Sequence, residues 1–125
     1  MDLPKNLLYT KEHEWMLIEN NVITLGITDF AQAELGDIIF VELPTIGDFV
    51  EKGKTCGTIE AVKTVSDIFS PVEGKVIDIN NEIDDSPEVV NSDPYGDGWF
   101  MKIELMGKDS SDELMSYEEY GLFIT

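Results

Sequence analysis

Residues 47 to 83 read GDFVEKGKTCGTIEAVKTVSDIFSPVEGKVIDINNEI, with glycine or proline at positions 47, 53, 57, 71 and 74. The runs between these breakers are short and β-like, so the segment predicts several short strands joined by tight turns. That pattern belongs to a small barrel or sandwich.

The flanking sequence extends the same reading. EWMLIENNVITLGI, 14 to 27, predicts a hairpin turning at Asn20 and Asn21, because Asn tolerates the positive φ of a tight turn. TDFAQAELG predicts a short helix capped by Thr28 or Asp29, with Gln32 as reciprocal cap, Phe30, Ala33 and Leu35 on one side, and Gly36 as its stop. DIIFVELP reads as a buried strand ending at Pro44. Residues 84 to 98, DDSPEVVNSDPYGDG, read as loop and turn. WFMKIEL, 99 to 105, alternates as a strand with Trp99, Met101, Ile103 and Leu105 on one face, which makes Trp99 a core residue. SSDELMSYEEYGLF predicts a C-terminal helix over about 111 to 123, capped by Ser111 or Asp112. The chain of 125 residues fits one domain, 1 to 125, that is mostly β with short peripheral helices.

Charge excludes several functions. The 26 acids face 8 bases, all of them lysine, for a net charge of -18. Such a field repels phosphate, which argues against nucleic acid and anionic membranes. It suits a soluble monomer whose partners present basic faces, or one that handles a cationic group; acidity that serves solubility alone is the plainer reading. Cys56 is the only cysteine, so no internal disulfide can form and a reducing compartment fits. It reads as a small buried hydrophobe on a strand. The N-terminus carries neither a signal-peptide nor a transit-peptide pattern, and no stretch approaches the ~18 apolar residues of a membrane span.

Catalytic patterns are missing: there is no GxSxG, HExxH or phosphate-cradling glycine loop, and His13 is the only histidine. One cysteine and one histidine build neither a structural zinc site nor a nucleophile pair of ordinary spacing. The lysine in TCGTIEAVKTVSDIFSPVEG stands apart. If the runs on either side of KTVS are paired strands, Lys63 is presented at a hairpin tip, and the sequences leading in and out match loosely as two-fold-related hairpins. Spacing alone leaves it either a solvated turn lysine or the attachment point of a swinging arm, whose rigid base is set by the flanking strands.

GTIEAVKTVSDIFSPVEGKVIDIN resembles the lipoylation region of glycine cleavage system H proteins, relatives of lipoyl and biotinyl carrier domains. YTKEHEW (9 to 15), LGITDFAQAELGDIIFVELPTIG (25 to 47) and NSDPYGDGWFMKIEL (91 to 105) resemble the same family in the same order, over nearly the whole chain. Biotin carriers are disfavoured because Val62 and Thr64, not methionines, flank the lysine. Generic lipoyl domains would lack EHEW, the helix and DPYGDGW.

The resemblance implies a barrel-sandwich hybrid with a lipoyl-domain-like core over about 22 to 105. It implies a carrier rather than an enzyme, with lipoate in amide linkage on Lys63. The arm would take an aminomethyl group from a pyridoxal-phosphate glycine decarboxylase and pass it to a tetrahydrofolate-dependent aminomethyltransferase. Dihydrolipoyl dehydrogenase would then reoxidise the dithiol. Glu60 would be read by lipoate-attaching enzymes. Glu14 and Asp67 would contact the loaded arm, against the plainer readings of an exposed strand residue and a turn brace. Gly74 would supply turn geometry. Ala61, Thr64, Glu12 and Glu34 depart from the family pattern. The alternative function is an H-like relay that delivers lipoyl groups or other cargo to different proteins. A prokaryotic cytoplasm is the implied location, with a mature mitochondrial form as the alternative.

Overall fold

The computed structural model describes residues 3–106 and 114–125. In chain order these form β1 (Leu8–Tyr9), β2 (Glu14–Glu19), β3 (Val22–Ile27), α1 (Asp29–Leu35), β4 (Ile38–Glu42), β5 (Phe49–Val50), β6 (Thr55–Ala61), β7 (Val65–Phe69), β8 (Gly74–Ile79), α2 (Glu82–Asp85), α3 (Val89–Ser92), β9 (Met101–Leu105) and α4 (Tyr117–Phe123). The strands make a six-stranded sheet, β1-β2-β3-β9-β8-β5, and a three-stranded sheet, β4-β6-β7. Inward side chains of both, among them Ile23, Leu25, Val76 and Ile103 from one and Val41, Ile59 and Ile68 from the other, share one core. The mostly β sandwich with short peripheral helices follows from this period-2 burial.

The predicted hairpin turns where Asn20 takes φ 57°, with Glu19 opposite Val22. The chain leaves the large sheet after Val50 and returns to it at Gly74, and between those points β6 and β7 pair in the small sheet. The two crossings are tied to each other: Gly53 N–H donates to the Ser70 carbonyl at 2.8 Å and Ser70 N–H to the Lys54 carbonyl at 3.0 Å. The segments leading into and out of KTVS therefore cross between the sheets side by side.

Several details differ from the sequence expectation. β4 is only half buried, with Ile39 54% and Phe40 47% exposed. It is an edge strand of the small sheet, paired only with β6, and its register shifts between Ile38 and Phe40, which turns successive side chains outward. In α1, Thr28 is the cap, accepting the Ala31 N–H at 3.2 Å. Gln32 lies one residue too far along to return that bond and instead donates to Asp29 at 2.6 Å. Ala31 is buried where Ala33 was expected. The segment 84 to 98, expected as loop, begins in the helical turn α2 and includes the helical turn α3, each pinned by one buried aliphatic, Ile83 and Val90.

Trp99 precedes β9 rather than opening it. Asn80 Nδ2 donates to the carbonyls of Asp97 and Trp99 at 2.7 and 2.8 Å, which holds the approach out of the strand. Phe100 takes the core position, and Trp99 is half buried beside the smaller Trp15 and Tyr120 cluster. Gly74 lies within β8, not in a turn. A Cβ there would meet the Glu104 carbonyl oxygen and come within 2.5 Å of the Ile103 side chain, so close strand packing requires the glycine. Cys56 is on a strand but only half buried.

The C-terminal helix starts at Tyr117. Ser116 and Glu119 form a reciprocal capping box, with bonds of 3.2 and 3.0 Å. The expected caps Ser111 and Asp112 lie outside the described residues.

Candidate functional site

Lys63 sits in the turn between β6 and β7 and is exposed. Two backbone bonds hold this turn: Ala61 N–H to the Thr64 carbonyl at 2.8 Å, and Val62 N–H to the Asp37 carbonyl at 3.0 Å. The second fastens the tip to the connection between α1 and β4. Gly36, with φ 79°, ends α1, and a Cβ built there would stand 3.4 Å from Lys63 Cε. The lysine stem thus passes over a residue with no side chain, beside the negative end of a helix.

Alternation decides what surrounds the tip. Glu60 is opposite Val65 and next to Phe40, while Asp67 is opposite Thr58. Glu60, Val65 and Asp67 are all exposed, so they share the outer face of the small sheet. Val62 is 73% exposed and Val65 60%. An acidic and apolar collar therefore surrounds the one lysine of this turn. Of the residues that depart from the family pattern, Ala61 is buried opposite Ile38, and Thr64 is the exposed residue that closes the turn.

Glu14 is not an exposed strand residue. It is 2% exposed and stands at the floor of a cleft of about 550 Å³ lined in part by Thr10, Glu12, Lys52, Phe69 and Glu119. Its Oε2 accepts the Phe69 N–H at 2.7 Å and its Oε1 the Thr10 hydroxyl at 3.3 Å. Thr10 Oγ1 also accepts the N–H groups of Glu12 and Glu14, each at 3.2 Å, closing the tight turn from β1 to β2 in which His13 takes φ 65°. Burial pushes the Glu14 carboxyl up to about 8; the Phe69 and Thr10 bonds oppose this and the Glu12 charge adds to it.

Lys63 and Glu14 are at opposite ends of β7. Phe69 lies six residue steps beyond Lys63 along nearly extended chain, a span of roughly 20 Å. Asp67 lies between them on the outward face, outside the cleft lining. Glu12 does line the cleft, whereas Glu34 is exposed on α1 and does not. Sequence reasoning missed Thr10 and Phe69. A hydroxyl residue four before Glu14 was the legible signal for the first; Phe69 acts through its backbone, which no side-chain pattern marks.

Lys63 Nζ is accessible for acylation on a rigid hairpin, which fits an amide-linked group at the end of a flexible stem. Acylation removes the charge without disturbing either backbone hydrogen bond that holds the turn.

A model of the family described as glycine cleavage H-protein matches residues 7–125. The chain is 51% identical over 124 residues to the glycine cleavage system H protein of Staphylococcus saprophyticus, a match covering 99% of this chain and 98% of that protein. It is 52% identical over 120 residues to the one from Listeria monocytogenes, covering 96% of each. A crystal structure of a glycine cleavage system H protein from Mycobacterium marinum superposes with a TM-score of 0.90 at 34% identity, covering 98% of each chain.

Proposed function

The chain belongs to the glycine cleavage H-protein family, and we propose that Lys63 is the residue on which it bears its lipoyl group. The protein is a lipoylated carrier of the glycine cleavage system, not an enzyme, and works with the other components of that system. The bound lipoyl group supplies a dithiolane that takes up the aminomethyl fragment of glycine and carries reducing equivalents.

The observation that carries the reading is the exposed Lys63 on a turn held by two backbone bonds, with β7 leading from it to the cleft over Glu14. In this reading the turn orients the stem, and the outward face of β7 guides it. Glu14 receives the cationic amine of the cargo at the cleft floor. Its carboxyl, protonated near neutral pH when the cleft is empty, releases its proton as the cation arrives. Asp67 adds negative charge along the path, and Glu60 is the acid that lipoate-attaching enzymes read beside the lysine. The specific partners are the pyridoxal-phosphate glycine decarboxylase, the tetrahydrofolate-dependent aminomethyltransferase and dihydrolipoyl dehydrogenase. The lone thiol and the bacterial relatives support a prokaryotic cytoplasm as its location. No helix among the described residues is long and apolar enough to cross a membrane.

The test is peptide mass analysis of protein produced with lipoate available. The peptide containing Lys63 is expected to carry one lipoyl increment, and Lys63→Arg to carry none and to support no glycine-dependent CO2 exchange with the decarboxylase. An unmodified Lys63 in the wild type overturns the assignment. A lipoylated wild type that supports no exchange favours the relay instead.

A further inference from the structure

NSDPYGDGW remains without a role in the carrier reading, yet its first residue grips the α1–β4 connection to which the lysine turn is bonded. Asn91, on α3, makes three side-chain bonds. Its Oδ1 accepts the Ile38 N–H at 2.9 Å, and its Nδ2 donates to the Gly36 carbonyl at 2.9 Å and to Gln32 Oε1 at 2.8 Å. A backbone N–H can only donate and a backbone carbonyl can only accept, so the orientation of this amide is fixed by its partners. Gln32 must then offer its oxygen to Asn91 and its nitrogen to Asp29, as it does.

Gly36 and Ile38 bracket Asp37, whose carbonyl accepts the N–H of Val62, the residue before Lys63. We infer that Asn91 is a positioning residue for the lipoyl-bearing lysine: it clamps both sides of Asp37 and thereby holds the tip in one place. Val90, its neighbour on α3, is fully buried, so the clamp is rooted in the main core. Without it the β6–β7 ladder and the Ala61–Thr64 bond still close the hairpin, but the Asp37 carbonyl that accepts Val62 N–H is held only through the pairing of Ile38 with Ala61. The lysine then samples several positions, and an enzyme that binds one of them sees a lower effective concentration.

The functional arm of this inference rests on Lys63 as the attachment site; the structural arm does not. Amide hydrogen exchange is measured on Asn91→Ala and on the full-length wild type. The Val62 and Ile38 amides are expected to exchange about tenfold faster in the variant, relative to the Ile103 amide in the core. Lipoylation by a lipoate-protein ligase with free lipoate and ATP is expected to show a KM raised about threefold to tenfold with kcat little changed. Asn91→Asp keeps the acceptor for Ile38 N–H but sets its second carboxylate oxygen against two acceptors, the Gly36 carbonyl and Gln32 Oε1, and is expected to behave like the alanine variant. Ile103→Val, which loosens the core away from the tip, is expected to lower Tm without raising KM. Val62 exchange that merely follows Ile103 overturns the clamp. So does a KM that rises as much in Ile103→Val as in Asn91→Ala for the same loss of Tm. If the wild type accepts no lipoate, the exchange measurement still decides the clamp, and it is the carrier assignment that has failed.

Discussion

Glu14 accepts the backbone N–H of Phe69 at 2.7 Å, which joins the floor of the cleft to the last residue of the strand that starts beside Lys63. A buried carboxyl so placed has two jobs that pull against each other. It completes the hydrogen bonding of a strand end, and it keeps an ionisable group where water is scarce. The second job makes the site responsive to protons and to cations.

Stability should therefore fall with rising pH through Glu14. Unfolded, the carboxyl titrates near 4.5; folded, near about 8. Below the first value both states hold the proton and Glu14 contributes nothing to the pH dependence. Between the two the folded state binds more protons, so stability is lost as pH rises, and the loss is complete above about 8. Glu14→Gln has no charge to bury and offers an oxygen to Phe69. Its stability relative to wild type should rise by about 2–4 kcal/mol from near pH 5 to above pH 8. Urea unfolding across that range measures it; a constant difference would show that Glu14 ionises freely in the folded protein.

In the loaded carrier the same substitution should act the other way. A neutral amide cannot match a carboxylate against a cationic amine, so Glu14→Gln should shorten the lifetime of the loaded form roughly tenfold. Asp67 is exposed and solvent screens it, so Asp67→Asn should change that lifetime by about twofold or less. Formaldehyde released over time reads both. Lipoylation of Lys63 should be unaffected in each variant.

The strand pattern, the Asn20 turn and the exposed hairpin lysine were legible because each depends on local periodicity and turn chemistry. Burial was legible only where one sheet face meets the core. β4 misled because its hydrophobic run carries a bulge at an edge, and Phe40 and Ile39 turn outward. Trp99 misled because a remote side chain, Asn80, sets where β9 begins. The start of α4 was written in the sequence as Ser116-Tyr117-Glu118-Glu119, a capping box that a longer apolar pattern obscured. At the site, the burial of Glu14 and the reach of Asn91 come from contacts 53 to 59 residues apart in sequence, beyond any local pattern.

Gly74→Ala tests the close approach of β8 to β9. A methyl group there overlaps the Glu104 carbonyl and presses on Ile103, both of them parts of a paired neighbouring strand that cannot move independently. The expected cost is about 2–3 kcal/mol or more. If Gly74 served only turn geometry, alanine would cost well under that, since its φ is not in the left-handed region. Chemical denaturation with an unchanged m-value would locate the effect in the folded state.

Tyr120→Phe tests how α4 is held to the sandwich. The Tyr120 ring is fully buried and stacks on Tyr9 at 4.8 Å with the planes 10° apart. Its hydroxyl lies 2.8 Å from both His13 Nδ1 and Thr28 Oγ1, bridging the turn before β2 to the cap of α1. Phenylalanine keeps the stacking and removes only the bridge. Thr28 retains its bond from Ala31, but the half-buried His13 nitrogen loses its protein partner. The variant should lose about 1–3 kcal/mol, seen as a drop of several degrees in Tm, with native circular dichroism. Because Lys63 is reached through Asp37 and not through α4, its lipoylation should proceed at the wild-type rate. A slowed reaction would mean that the two ends of α1 are coupled more tightly than these hydrogen bonds provide.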